Sequence, residues 1–181
     1  IGWRHIWATK MGLVRLRRDP AAVLELMAYS NTYNKPIDHQ TWREIRSAML
    51  TREITEIDQL TIQRFWALLS QAGKIASNLK RLHELRVLEQ IIPAMTHARC
   101  LLQFNEYHKY TVDAHCIRAV ECVTELQSDS SLLGIIYRGL KSKAILHLAL
   151  LIHDLGKGFP EDHSEVGRKI AAETADRLRL S

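Results

Sequence analysis

Cysteine, proline and glycine are all scarce in this chain, and each scarcity removes a class of structure. The three cysteines, Cys100, Cys116 and Cys122, are odd in number and form no C-x-x-C pair. They argue against a disulfide framework and for free thiols in a reducing compartment, so a cytoplasmic protein is expected. Four prolines and eight glycines in 181 residues are too few breaks for a loop-rich β protein and favour long helices. Long apolar runs are missing too. The longest, Ala144 to Ile152, contains His147 and is too short to cross a bilayer, and no signal segment opens the chain, so no membrane role is expected. Ile1 in place of a starting methionine suggests a piece of a longer protein. What is present is ordinary for a globular domain: 46% hydrophobic and 25% charged residues, which excludes a disordered chain.

The formal charge of +5 is unevenly placed. Residues 1–89 hold 14 Lys and Arg against 9 Asp and Glu, whereas residues 90–181 balance at 11 and 11. Arg15, Arg17 and Arg18 form the tightest basic cluster. Such an excess is either a nucleic-acid face or a solvated helical surface. No aromatic residues interleave with the basic ones, so nucleic acid is not expected as a partner.

Helix punctuation recurs along the whole sequence. Asp19-Pro20 is an N-cap followed by proline at the first helical position and opens a helix through about Ser30. Asn31 to Pro36 reads as a turn. Asp38 caps a helix carrying Trp42, Ile45 and Leu50, and Asp58 begins another with Ile62, Phe65, Trp66 and Leu69 at helical spacing. Ile75 to Ile92 reads as one helix ending before Pro93. Further helices are expected near 94–103, 111–127, 139–154 and 163–180. No period-2 alternation is sustained anywhere, so the fold class is all-α. A boundary near Pro93, where the charge balance changes, gives a helical connector over 1–93 and a second domain over 94–181.

Six of the nine histidines follow residue 96, and three stand where helix geometry gives them meaning. On the helix over 111–127, Val112, Cys116, Ala119, Val123 and Leu126 form an apolar stripe, with His115 at its edge. By itself His115 is either a satisfied core residue or a ligand. The next helix, Ala144 to Ile152, is apolar nearly all round and ends in His153-Asp154, with Gly156 placed to terminate it in a left-handed cap. An ionised aspartate at the end of a buried helix needs compensation, which a divalent cation would supply and solvent access would make unnecessary. Asp162-His163-Ser164-Glu165 resembles a capping box, with Gly167 one turn further on for close backbone approach. His163 there is either a first-turn surface residue or a further ligand. Together His115, His153, Asp154 and His163 form a donor set for Mn or Mg, or for Fe or Zn, with open positions for hydrolysis. Lys157, between two glycines and one turn after the carboxylate, is placed to reach a phosphate oxygen.

These residues carry a resemblance. His115 followed by His153-Asp154 is similar to the HD superfamily of metal-dependent phosphohydrolases. His153-Asp-Leu-Gly-Lys157-Gly158 with His163-x-x-x-Gly167 narrows the likeness, and Gln103-Phe-Asn-Glu-Tyr-His-Lys-Tyr-Thr-Val-Asp-Ala-His115 resembles the approach to the first ligand in the bacterial PII uridylyltransferase/uridylyl-removing enzyme family. Leu82 to Pro93 and the Asp19-Pro20 helix are similar to that family's segments before its HD domain. The resemblance implies a helical HD bundle behind a helical connector. It also implies hydrolysis of the phosphodiester joining UMP to a PII-type signalling protein, with a divalent metal on His115, His153, Asp154 and His163 and with Asp154 and Lys157 in catalytic roles. PII and a uridine nucleotide (UMP or UTP) are the partners so implied. HD domains take a final Asp ligand from a later helix, which is expected beyond Ser181, leaving the metal site of this stretch incomplete. Two alternatives stand beside this reading: the HD region of a tRNA nucleotidyltransferase-like enzyme, and a non-catalytic HD relay between flanking domains.

Overall fold

A computed structural model of the chain describes residues 4–102 and 110–180. Among the described residues there are eleven helices and no strand, only an isolated parallel bridge between Ile6 and Ile37. The all-α expectation is met. No helix among these residues is long and apolar enough to cross a membrane. The chain forms two compact units, Ile1–Leu68 with Asn78–Ile91, and Leu69–Ser77 with Ile92–Ser181.

The helices of the first unit start where short polar side chains occupy otherwise unpaired backbone donors. They are α1 (Lys10–Arg18), α2 (Pro20–Tyr33), α3 (His39–Thr51), α4 (Gln59–Leu69), α5 (Ile75–Glu84) and α6 (Val87–Ile91), with α4 and α5 running into the second unit. Asp19 accepts from the Ala21 N–H at 2.8 Å, Asp38 from Gln40 and Thr41 at 3.0 and 3.2 Å, and Asp58 from Thr61 at 2.8 Å. Val23, Met27, Ile45, Met49, Phe65, Leu79 and Leu82 are buried. Removal of each such side chain from water contributes about 1.5–3 kcal/mol.

Two boundaries differ from the sequence reading. Asn31 to Tyr33 are helical, and the turn begins at Asn34, whose φ of 48° is a left-handed cap that asparagine tolerates. The expected single helix over 75–92 is two, broken at Arg86 with φ 65°. Residues 87–92 are buried in succession, which one amphipathic helical face cannot achieve. Glu89, among them, lies 3.6 Å from Arg86 and 3.8 Å from His83.

In the second unit α7 (Met95–Ala98) is shorter than the expected helix over 94–103, because Cys100 turns the chain with φ 56°. Cys100 N–H then donates to Asp113 Oδ2 at 3.1 Å, and Val112 N–H to the Leu101 carbonyl at 2.9 Å, tying this segment to the first turn of α8 (Val112–Glu125). The buried stripe of α8 is Val112, Asp113, Cys116, Ile117 and Val120, a register rotated from the expected one; Ala119, Val123 and Leu126 are only half-buried. The helix α9 (Leu132–Gly139) is not among the expected helices, and the one expected near 139–154 begins only at Lys143. Its Ser131 cap accepts from Gly134 N–H at 3.3 Å, but Leu132, Leu133, Ile135 and Ile136 are exposed, so it lacks the usual amphipathic pattern.

The helix α10 (Lys143–Ile152) packs along α8 and buries Ala144, His147, Leu148 and Leu151, while Ile145 and Ala149 are exposed, so it is less enclosed than its composition suggests. Both ring nitrogens of His147 are engaged, Nδ1 with the Leu69 carbonyl at 2.6 Å and Nε2 with the Tyr137 hydroxyl at 2.8 Å. A carbonyl only accepts, so Nδ1 carries the proton and Tyr137 donates to Nε2. The imidazole is neutral, and burial lowers its pKa from the ordinary 6.5.

The turn after α10 reaches α11 (His163–Arg177), capped by Asp162, which accepts from Ser164 and Glu165 at 3.0 and 3.1 Å. The left-handed glycine of this turn is Gly158, at φ 84°, and not Gly156 as the sequence reading had it. Gly156 instead permits contact: a Cβ there would lie 2.2 Å from the His163 carbonyl oxygen and 2.5 Å from Gly167 N. The close approach expected at Gly167 is real, but the glycine it requires is Gly156. A Cβ on Gly167 itself meets nothing within 4 Å.

Two outcomes follow from these contacts. Gly156→Ala should lower the melting temperature, with a destabilisation on the order of 1–3 kcal/mol or more, because backbone must move. Gly167→Ala should be neutral or stabilising by up to about 1 kcal/mol, since alanine is the better helix former. Equal melting temperatures for the two variants would refute this assignment. For His147, the folded pKa lies below the unfolded value, so its contribution is present above 6.5 and is lost as pH falls, when the unfolded chain takes the proton first. Melting curves from pH 7.5 to 5 should therefore fall less steeply for His147→Gln than for the parent chain.

Candidate metal centre

Three ligand-type side chains from two helix ends meet in the second unit. His115 stands one turn into α8, while His153 and Asp154 leave the C-terminus of α10. His115 Nε2 is 3.4 Å and His153 Nε2 3.5 Å from the same oxygen, Asp154 Oδ2, and one ligand atom from each residue lies within 4.8 Å of the others. The imidazole centroids are 5.2 Å apart with planes tilted by 51°, so the rings do not stack. His115 is half-buried, His153 exposed and Asp154 half-buried, which leaves one side of the group open.

The donor set can be tested against a divalent cation on its own geometry. Metal–ligand bonds of about 2.0–2.2 Å put neighbouring ligand atoms roughly 3–3.5 Å apart, which is the spacing of both nitrogens from Oδ2. His153 Nδ1 donates to the Leu150 carbonyl at 2.8 Å, so in the neutral ring Nε2 is a bare lone pair. That lone pair and the carboxylate oxygen 3.5 Å away are two donors that one cation could share. The residues fit a metal.

Asp154 itself is under opposing influences. Burial pushes its pKa up, but the Lys157 hydrogen bond and the charges of His153, Lys157 and His115 outweigh it and hold the carboxyl below its usual range. Lys157 Nζ donates to Oδ2 at 2.7 Å. The lysine that the sequence aimed at phosphate is thus engaged with the aspartate. Cys116 lies beneath the site, its sulfur 4.0 Å from His153 Nδ1; burial pushes its thiol up to about 12, so it lines the site as a neutral thiol.

The turn carrying Asp154 and Lys157 is held at both its glycines. Gly156 sits against the start of α11, and Gly158 against Leu101 and His97, where the His97 and Phe159 rings stack at 3.9 Å. His163 contributes its backbone carbonyl to the first of these contacts. Its side chain is exposed and lies outside the three-residue group. Of the stretch Gln103 to His115, Gln103 to Lys109 lie outside the described residues. Cys116 and the His97–Phe159 pair were not singled out from sequence as parts of the site. The only signal for Cys116 was its place in the apolar stripe next to His115.

Comparison with known proteins agrees with this geometry. The HD domain family matches residues 112–180, from the first turn of α8 to the end of α11. The bifunctional uridylyltransferase/uridylyl-removing enzyme of Ruegeria pomeroyi is 38% identical over 122 residues, 65% of this chain and 13% of that protein. Its counterpart in Cereibacter sphaeroides is 37% identical over the same shares, and that of Zymomonas mobilis 29% identical over 171 residues, 91% of this chain and 18% of that protein. The chain therefore spans less than a fifth of the length of these relatives. Residues 112–180, the helices that bring His115, His153 and Asp154 together, thus match the HD domain family, and the chain is similar along most of its length to relatives that share the name bifunctional uridylyltransferase/uridylyl-removing enzyme.

Proposed function

We propose that this chain is the hydrolytic region of a larger bifunctional enzyme and removes UMP from a uridylylated PII-type signalling protein. The observation that carries the reading is the convergence of one ligand atom each from His115, His153 and Asp154 within 4.8 Å. The shared name of the relatives supplies the uridylyl group as the moiety removed. PII as its carrier comes from the resemblance of the Gln103–His115 and Leu82–Pro93 stretches.

In this reading His115, His153 and Asp154 hold a divalent cation, Mn or Mg in the first place, with His163 as a further ligand if the start of α11 moves inward. Such an ion supplies Lewis-acid polarisation of a phosphate oxygen and lowers the pKa of a water. The chain's own residues do the remaining work. Asp154 supplies the negative charge that keeps a dication in a half-buried place, and the Leu150 carbonyl keeps the His153 proton on Nδ1, so that Nε2 faces the site. Lys157 offers an ammonium to a non-bridging phosphate oxygen, where negative charge grows as the bond breaks. Water adds to phosphorus, the bond from phosphorus to the side-chain oxygen of the carrier protein breaks, and a proton passes to that oxygen, giving UMP and the unmodified protein.

In the intact enzyme, Asp154→Asn should reduce Mn²⁺-dependent release of UMP from uridylylated PII by about 100-fold or more, because the amide keeps the shape but loses the balancing charge. UMP addition should continue, since it belongs to a separate site. Release assayed with both the parent and the variant enzyme checks this; a parental rate in the variant refutes the hydrolase reading.

A further inference from the structure

Three nitrogens crowd a single oxygen of Asp154, and the nearest is not an imidazole. Lys157 Nζ is 2.7 Å from Oδ2, against 3.4 Å for His115 and 3.5 Å for His153. The pair is partly sheltered, with 21% of the lysine and 17% of the aspartate side chain exposed. The backbone beneath it is fixed on both sides, by Gly156 on α11 and by Gly158 on Leu101 and His97. The lysine therefore changes partner by side-chain rotation, without remodelling the turn.

A divalent ion on the two imidazoles and Oδ2 would share that oxygen with an ammonium. Two cations on one oxygen in a half-buried place repel strongly, and the carboxylate holds one positive partner far better than both. We propose that Lys157 is a stand-in cation for Asp154 Oδ2: it competes with a divalent ion for that oxygen, and metal binding turns the ammonium from Oδ2 toward the substrate phosphate. This rests on His115, His153 and Asp154 being metal ligands. It adds that loading the site and arming the lysine are one event, so a phosphate meets a free ammonium only when the metal is present. A lysine serving phosphate alone would leave metal affinity unchanged when removed. One that merely orients Asp154 would weaken it. A stand-in cation does the opposite.

The test uses Mn²⁺ alone, titrated by calorimetry into this chain and its Lys157→Met, Lys157→Arg and Asp154→Asn variants, with circular dichroism reporting the fold. Lys157→Met should bind Mn²⁺ about tenfold more tightly than the parent, because no ammonium has to be displaced. It should also melt at a lower temperature without metal, with the gap closing at saturating Mn²⁺, while Lys157→Arg stays near the parent. In the parent chain with ¹³C-methylated lysines, the resonance missing from Lys157→Arg should shift on addition of Mg²⁺. Unchanged or weaker Mn²⁺ binding by a folded Lys157→Met, or a Lys157 resonance that Mg²⁺ does not move, overturns the proposal while parental binding that depends on Asp154 stands. If Asp154→Asn binds Mn²⁺ like the parent, the ligand assignment fails and this inference fails with it.

Discussion

Asp154 carries a negative charge into a place where only 17% of its side chain meets water, and much of the second unit is arranged around that charge. A partly buried carboxylate without partners would take up a proton or disrupt its surroundings. Here one oxygen collects two imidazole nitrogens and an ammonium. Each partner arrives by a different route: His115 through the packing of α8 along α10, His153 as the neighbouring residue, and Lys157 through a single turn of backbone. Displacing any of the three elements would leave the charge less compensated, so fold and site constrain each other.

The turn from His153 to Phe159 shows how that constraint is met. It needs a close backbone approach on one side and a left-handed residue on the other, and it uses a glycine for each. Gly156 lets the chain lie against the His163 carbonyl, and Gly158 lets it reverse beside Leu101 at φ 84°. The His97–Phe159 stack closes the far side. Held at both ends, the turn has little freedom left except in the side chain of Lys157. A buried imidazole, His147, sits on the helix that leads into His153 and does the opposite job. Both its nitrogens are spent on Tyr137 and the Leu69 carbonyl, so it is a fixed neutral hydrogen-bonding residue of the core.

Much of the helical framework was legible from sequence because helix starts are local chemistry. Asp19, Asp38, Asp58 and Asp162 each cap the helix that follows them, as a short carboxylate before a helical run must do when free N–H groups are within reach. Helix ends were less legible. Asn34, Arg86 and Cys100 all adopt positive φ without being glycine, so no residue type marked those ends. The helix α9 escaped notice because the apolar side chains that would have marked a buried face are on its exposed side. In the site, the stripe-edge position of His115 and the His153-Asp154 pair are the local signals the sequence carries, and the structure brings one ligand atom of each within 4.8 Å.

By itself, then, the sequence determined an all-α chain and most of its helix starts, since these depend on residue type and on spacing within one or two turns, and it offered His115, His153, Asp154 and His163 as candidate ligands by residue type alone. Tertiary structure alone decided which nitrogen faces which oxygen, that Gly158 and not Gly156 takes the left-handed turn, that His163 stays outside the group, and that Lys157 rests on Asp154. Those outcomes depend on distances between residues far apart along the chain, which are fixed only when α8, α10 and α11 pack and share the burial of one charge.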